Sequence, residues 1–399
     1  MEDSDESIDI EKFLGMKSEN DEINQKEESS IKCPTITSSP SDWEKFYDQI
    51  VVEVKGLEPS PLQHRLFDPE ALFEYWHFLT HSKSEGVERI RELLKTLIEI
   101  EFPINPGDLF TVPLSPAPDP SELAILRQEF PHFDRSGVID AISENLVLAQ
   151  AGDGTVFFDP ILLEGDPGVG KTRFFRRSAN VLKINNTCEI DFSVASASWI
   201  LSGLSSTWLG AKPGEVFSML TTFKGGIGNP LFLIDELEKV QERRHENPLQ
   251  ALYSILEPES AKRFRDEFCP IPIDASRVLW IAGANSIDPI PPAILSRFRV
   301  FYIPRPTNDE KRSISQAIWT ELRTTNEWGQ LFEEGLSTKV LDHLLSLSSR
   351  ETRIRLRSAA ARALARSKNA KKKRCEIGLE DVRESRDSSM EHRNSIGFR

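Results

Sequence analysis

The fold of this chain is decided by Gly165-Asp166-Pro167-Gly168-Val169-Gly170-Lys171-Thr172, which follows a short apolar run at residues 160–163. This stretch matches every fixed position of the P-loop pattern. Glycines let successive backbone N–H groups surround phosphate oxygens, and the helix that follows points its positive N-terminal end at the same anion. We therefore predict nucleotide binding, with Lys171 at the β- and γ-phosphates and Thr172 as a ligand of Mg²⁺. A tight turn without a ligand is the alternative, and the Lys-Thr pair disfavours it.

Two further apolar runs, at residues 231–234 and 278–284, end in polar side chains. Runs that are apolar on successive residues are typical of parallel strands covered on both faces. Asp235 and Glu236 follow the first run, and we predict that Asp235 holds the Mg²⁺ while Glu236 is the general base. Asn285 follows the second run and is predicted to orient the attacking water. Because surface Asp-Glu pairs are common and an Asn after a strand is usually a turn residue, these assignments depend on the P-loop.

Strands and helices alternate around these runs, which predicts an α/β fold. We expect a P-loop NTPase parallel sheet sandwiched by helices, followed by a small α-helical lid and preceded by a helical N-terminal region. Val138, at the start of an early helix, is also assigned to the nucleotide site. The predicted segments are a disordered acidic tail at 1–41, a small helical region at 42–101, a Pro-rich linker at 102–120, the α/β nucleotide-binding domain at 121–303, the helical lid at 304–386 and a polar tail at 387–399.

The chain has 399 residues and a net charge of −14, and its charges are unevenly distributed. Residues 1–28 carry eleven acidic and three basic side chains, whereas residues 350–374 carry eleven basic side chains and one acidic. The acidic excess disfavours a general affinity for nucleic acid. The sequence contains no apolar run of membrane-spanning length and begins with an acidic segment, so we expect a cytoplasmic protein without a membrane partner. Its four cysteines are widely spaced, which indicates reduced thiols rather than a zinc site or disulfides.

Beyond the P-loop, the motif set resembles the ATPase part of Lon proteases, within the AAA+ superfamily, from about Ser121 to Arg386. The order and spacing of many short motifs carry this resemblance. They are Trp208-Leu209-Gly210-Ala211-Lys212-Pro213-Gly214, Asn229-Pro230 before the Asp-Glu pair, Leu256-Glu257-Pro258-Glu259, Asn285-Ser286, Ile290-Pro291, Leu295-Ser296-Arg297-Phe298, Asn308-Asp309-Glu310-Lys311 and Ser349-Arg350-Glu351.

The resemblance implies a ring, usually of six identical subunits, with ATP and Mg²⁺ bound between neighbours. It assigns Arg297 as the arginine finger that enters the next subunit's site and Arg355 as the sensor arginine of the lid. Arg299 and Arg353 each lie two residues from an assigned arginine. Arg299 is therefore the alternative for the finger, and Arg353 is the alternative for the sensor. A solvated surface charge is the other alternative for each assigned arginine. The resemblance also places Trp208, Leu209 and Gly210 in the loop that faces the central pore, where an aromatic side chain grips a polypeptide. A buried core tryptophan is the alternative there.

In two respects this sequence differs from the family. Little sequence follows the lid, so we expect no Ser-Lys proteolytic domain and no peptidase activity. The long N-terminal region of Lon proteases also has no counterpart in residues 1–120. We therefore predict an ATP-hydrolysing remodeller of protein substrates. Two alternatives are kept: a nucleic-acid-associated ATPase, suggested by the basic residues 350–374, and a regulatory scaffold switched by ATP.

Overall fold

The structure, a computed structural model, describes residues 45, 57–68, 71–72, 74–75, 90, 111–193, 199–208, 210–221, 227–239, 249–367 and 374–383. Some predictions concern other residues. The acidic tail at 1–41, most of the region at 42–101, Leu209, the lysines at 371–373 and the polar tail at 387–399 lie outside the described part. Within the described ranges, no helix combines the length and the hydropathy of a membrane-spanning segment.

The secondary structure of the described residues alternates strands and helices up to residue 302 and is mainly helical afterwards. The strands are β1 Gln63–Arg65, β2 Thr111–Pro113, β3 Ile161–Glu164, β4 Thr187–Asp191, β5 Leu231–Asp235, β6 Phe264–Arg265, β7 Pro272–Ile273, β8 Leu279–Ala284 and β9 Arg299–Tyr302. The helices are α1 Ala124–Glu129, α2 Pro131–Arg135, α3 Val138–Ala151, α4 Lys171–Val181, α5 Trp199–Ser202, α6 Glu215–Thr221, α7 Leu249–Ile255, α8 Pro258–Ala261, α9 Pro292–Leu295, α10 Asn308–Thr325, α11 Thr338–Leu344, α12 Ser349–Ser367 and α13 Leu379–Val382. Within the described ranges, short 3₁₀ turns lie at Pro120–Leu123, Leu237–Lys239 and Glu327–Leu331.

Five parallel strands form the central sheet in the order β4-β5-β8-β3-β9. Strands β3, β5 and β8 are buried at nearly every position, as expected for parallel strands covered on both faces. Along β5, Leu231 and Leu233 pack into the hydrophobic core on one face, while Phe232 and Ile234 pack into the core on the other. Helices contribute to both cores, so the predicted α/β class is confirmed.

The C-terminal helices α10 to α13 have a hydrophobic core of their own. Trp319 and Phe332 lie at its centre, with ring centroids 5.3 Å apart in an edge-to-face arrangement. Helix α10 begins at a capping box in which Thr307 and Glu310 satisfy each other's backbone N–H groups. A single parallel bridge joins Phe332 to Cys375.

Part of the predicted linker at 102–120 differs from the prediction, because β2 pairs with β1 in an antiparallel ribbon. The ribbon is attached to the sheet region. The Ser115 backbone N–H donates to Asn229 Oδ1 at 2.8 Å, and a further bridge joins Phe67 to Ile273 on β7. Prolines are compatible with a short strand at an edge, so a high proline content did not exclude β structure here.

Candidate active site

The P-loop connects the end of β3 to the start of α4, as the sequence predicts. Gly168 and Gly170 have φ angles of +83° and +105°, a region that side-chain-bearing residues rarely occupy. Lys171, the first residue of α4, turns its ammonium group back over the loop and donates to the Gly165 carbonyl at 2.6 Å and to Asn285 Oδ1 at 3.0 Å. Burial lowers the pKa of Lys171, and the negative charge of Asp235 opposes that shift.

The two predicted Mg²⁺ ligands lie side by side at the carboxyl edge of the sheet. Thr172 Oγ1 donates to Asp235 Oδ2 at 2.8 Å, and the other Asp235 oxygen accepts the Glu236 N–H at 3.0 Å. Among the described residues, no group of three His, Cys, Asp or Glu side chains is arranged for a metal. A Mg²⁺ that arrives with a nucleotide does not need such a group, because phosphates and water fill most of its octahedral positions. The Thr172-Asp235 pair therefore fits this ion.

Glu236 projects into the same cleft from a strained backbone. Its φ angle is +55°, which is uncommon for a residue with a side chain. Its carboxylate is paired with Lys239 at 2.6 Å. This contact engages one of the two Glu236 carboxylate oxygens, Oε2.

Asn285, at the end of β8, connects the P-loop lysine to a carboxylate that sequence reasoning missed. Its Oδ1 accepts from Lys171, and its Nδ2 donates to Glu238 Oε1 at 2.7 Å. Glu238 lies on the 3₁₀ turn that follows β5. Only its position two residues after Glu236 could have indicated it.

A cleft of about 1780 Å³ separates the P-loop from the C-terminal helices. Residues of both parts line it, among them Gln128, Lys171, Glu236, Asn285, Glu321 and Arg353. Glu321 on α10 accepts hydrogen bonds from Arg173 on α4 and from Arg353 on α12. Arg355 is not among the lining residues, and its guanidinium donates to the Val382 carbonyl at 3.2 Å. Of the two arginines that the sequence left open, Arg353 is the one at the cleft.

Four residues assigned to the nucleotide site are not among those that line the cleft, namely Val138, Gly165, Asp166 and Val169. The Val138 side chain is fully buried in the core beneath α3. Asp166 pairs with Arg305, and the Val169 carbonyl lies 2.9 Å from the Nε2 atom of buried His132. Val138 is therefore placed as a core residue, whereas Asp166 and Val169 hold the P-loop against its neighbours.

Arg297 and Trp208 lie outside the residues that line the cleft. The Arg297 guanidinium lies over the Tyr253 ring, 5.5 Å from its centroid, and its Nε is 3.8 Å from Glu257. Trp208 is 65% exposed, so it is not a core residue. Gly210, two residues later, has a φ angle of +82°.

The loop that carries Trp208 is closed at its base. Leu204 N–H donates to the Lys212 carbonyl at 3.0 Å. At Gly214 a Cβ atom would collide with the backbone of Leu201 and Gly203. The Gly214 N–H donates to the buried carboxylate of Asp266 at 2.8 Å, which joins this loop to the β6-β7 hairpin. The two ends of the loop are thus held together.

Residues 161–305, which contain all five strands of the central sheet, match the family described as "ATPase family associated with various cellular activities (AAA)". Residues 161–305 are thus similar to AAA ATPase domains, and we refer to them as the AAA domain. This AAA domain is related to the ATPase module of Lon proteases.

The relatives that match the AAA domain are much longer proteins. A Lon protease of Heliobacterium modesticaldum is 35% identical over 195 residues, which is 48% of this chain and 23% of the relative. A Lon protease of Malacoplasma penetrans is 28% identical over 260 residues, which is 63% of this chain and 32% of the relative. A mitochondrial Lon protease homolog of Zea mays is 35% identical and covers 46% of this chain and 19% of the relative. The chain thus spans about a fifth to a third of the length of these relatives.

Solved structures similar to this chain are more distant. The Thermotoga maritima RuvB Holliday junction branch migration motor has a TM-score of 0.42 at 17% identity, over 62% of this chain and 66% of that one. A closed-state reconstruction of Hsp104 with ATPγS and FITC casein has a TM-score of 0.49 at 17% identity, over 61% of this chain and 47% of that one.

Proposed function

We propose that this chain is an ATP-hydrolysing motor of the Lon type that forms a ring, expected to hold six copies, and remodels protein substrates. One observation carries the proposal. The P-loop lysine, the Thr172-Asp235 pair, Glu236 and Arg353 all face one cleft between the AAA sheet and the C-terminal helices. This set supplies phosphate binding, a metal position, a base and a cation.

In the proposed reaction, Lys171 exchanges its contacts with Gly165 and Asn285 for phosphate oxygens. Glu236 leaves Lys239 and accepts a proton from a water molecule. The water oxygen bonds to the γ-phosphorus, the bond to the β–γ bridging oxygen breaks, and ADP and phosphate result. When bound by Thr172 and Asp235, Mg²⁺ would neutralise charge on the phosphate oxygens.

The proposed ring follows from Arg297. Its guanidinium is held by Tyr253 and Glu257 away from the cleft of its own chain, which suits a finger that serves a neighbour's site. Supply of a cation from a second subunit is a known way to accelerate phosphoryl transfer. The assembly and its size are parts of the proposal.

The proposed protein substrate follows from Trp208. An exposed indole on a closed loop offers a large apolar face that contacts many kinds of side chain. On the resemblance to Lon proteases, we propose that this loop faces a central pore. A cytoplasmic location stays a prediction.

The nucleic-acid alternative is weakened by the contacts of the basic helix α12. Arg353 is paired with Glu321, and Arg366 is paired with Asp381. Arg362 donates to the Asp381 carbonyl. Basic side chains that are engaged inside the C-terminal helices are less available to phosphates of a nucleic acid.

The test is the ATPase rate of the purified chain alone, with an unfolded protein such as casein, and with DNA. We expect hydrolysis that casein stimulates and DNA does not. Glu236→Gln should bind ATP and keep it unhydrolysed, because the base is lost while Asp235 remains. Lys171→Ala should lose ATP binding, because the phosphate charge has no counter-ion. Stimulation by DNA alone would favour the nucleic-acid alternative, and ATP binding without turnover would favour the scaffold.

A further inference from the structure

The hydrogen bonds around Asn285 determine which end of its amide faces the P-loop. A lysine ammonium group only donates hydrogen bonds, and a carboxylate only accepts them. Lys171 lies 3.0 Å from one end of the amide, and Glu238 lies 2.7 Å from the other. The end facing Lys171 must therefore be Oδ1, and the end facing Glu238 must be Nδ2.

We infer that Glu238 is a positioning residue that fixes the Asn285 oxygen toward the P-loop, so that Asn285 accepts a hydrogen bond from the attacking water. This inference rests on the proposed ATP hydrolysis. Once Lys171 turns to the phosphates, Asn285 Oδ1 is left at the cleft as an acceptor. A water that donates one proton to Glu236 and one to Asn285 directs a lone pair at the γ-phosphorus. If the amide were reversed, its N–H group would face the water. It would then donate a hydrogen bond to the water lone pair that has to attack the γ-phosphorus.

The surroundings of Glu238 agree with a positioning role. Leu237, just before it on the 3₁₀ turn, is 1% exposed and anchors the turn in the core. Glu238 Oε1 is committed to Asn285, while Oε2 is buried and has no hydrogen bond within the described part of the chain. A buried carboxylate oxygen without a partner is unfavourable for folding. A carboxylate at this position is explained if its role is to orient the Asn285 amide and not to stabilise the fold.

The first experiment is a double-mutant cycle between Glu238 and Asn285. We expect Glu238→Ala to lower kcat at least about tenfold, since misplacing a reacting group by 1 Å has effects of this order or larger. The dissociation constant for ATP should stay within about threefold, because phosphate binding by Lys171 does not depend on the amide direction. In an Asn285→Ala background, Glu238→Ala should have no further effect on kcat. Independent losses from the two changes would overturn the inference.

Controls separate positioning from stability. Glu238→Gln keeps a neutral acceptor within reach of Asn285, so it should retain more activity than Glu238→Ala. Glu259→Ala removes an exposed carboxylate paired only with Lys262 and should leave kcat unchanged. Glu238→Ser keeps a polar group too short to reach Asn285 and takes the place of Glu238→Ala in the cycle if the latter does not fold. A fall in melting temperature with kcat unchanged in the folded fraction would contradict the inference.

A swap of the two side chains tests the acceptor role itself. Asn285→Asp alone places two carboxylates together and should be inactive. Adding Glu238→Gln restores a donor facing position 285 and keeps an oxygen at the cleft, so kcat should rise at least about tenfold over Asn285→Asp alone. No rise would mean that Asn285 acts as a donor and that the inference is wrong. The proposed function would stand in that case, provided the unmodified chain hydrolyses ATP and Glu236→Gln does not.

Discussion

Arg173, on the helix that begins with the P-loop lysine, donates a hydrogen bond of 3.1 Å to Glu321 on the first C-terminal helix. The same Glu321 oxygen accepts from Arg353 at 2.6 Å. One carboxylate thus joins helix α4, beside the AAA sheet, to the C-terminal helices α10 and α12 across the cleft. The γ-phosphate of a bound nucleotide would compete with Glu321 for the Arg353 guanidinium.

We predict that Arg353→Ala lowers kcat roughly a hundredfold, because a charged donor near the transferring phosphate is lost. Arg355→Ala should have a smaller effect, because Arg355 contacts Val382 rather than the cleft. Arg357→Ala, an exposed change on the same helix, is the control. Steady-state ATPase kinetics of the three variants make the comparison. A larger fall in kcat for Arg355→Ala than for Arg353→Ala would assign the sensor role to Arg355.

For Arg297 we predict retained ATP binding with a loss of hydrolysis on the order of a thousandfold in Arg297→Ala. The reason is that the guanidinium serves a neighbouring site. Mixing Arg297→Ala with Glu236→Gln subunits should restore part of the turnover, because some interfaces then combine an intact Glu236 with an intact Arg297. The matched control mixes either variant with itself. Hydrolysis by a chain that stays monomeric with ATP would rule out the shared site.

Trp208→Ala should remove stimulation of the ATPase by casein. The free energy of unfolding should change by less than about 1 kcal/mol, because the side chain is exposed. Truncation of a buried tryptophan would instead cost about 3 to 5 kcal/mol. Leu331→Ala removes a similarly exposed apolar side chain from the C-terminal part and is the control. Casein stimulation that persists in a folded Trp208→Ala variant would contradict the grip on substrate.

Asp266 makes stability depend on pH. Burial raises the pKa of its carboxyl from 3.8 to about 6, although backbone N–H groups of Gly214, Phe268 and Cys269 favour the ionised form. Because the folded state holds the proton more tightly than the unfolded state, this group's contribution to the free energy of unfolding falls as pH rises from about 4 to 6. A difference of this size corresponds to about 3 kcal/mol.

The measurement compares urea unfolding of the unmodified chain and of Asp266→Asn at pH 4.5 and pH 7. Relative to Asp266→Asn, the unmodified chain should lose stability toward pH 7. If the free energy of unfolding changes equally between pH 4.5 and pH 7 in both proteins, burial does not dominate the titration of Asp266.

The sequence predicted strands β3, β5 and β8, which are apolar at nearly every position, because burial on both faces leaves a long apolar run. Strand β9 was not predicted. It lies at the edge of the sheet, only Phe301 of its four residues is buried, and Val300 and Tyr302 are exposed. A strand with one covered position leaves no periodic signal in the sequence.

The sequence predicted the parts of the site whose residues lie close together along the chain. It did not predict contacts between residues that are far apart in the sequence. The P-loop and the Asp-Glu pair each lie within a few residues, whereas Glu321 is 148 positions from Arg173. Arg353 and Arg355 differ by two positions, about 200° around a helix, so the packing of α12 decides which one meets the cleft. Because arginines occur on several sides of α12, the sequence alone could not orient it.

The closed base of the Trp208 loop has a consequence for how such chains can vary. Because Leu204 is bonded to Lys212 and the Gly214 N–H is held by Asp266, we expect substitutions at the exposed Trp208 between them to leave α5 and α6 in place. Under the proposed function, a different side chain at the tip of this loop would change which polypeptides the loop contacts and would leave the residues of the ATP site in place.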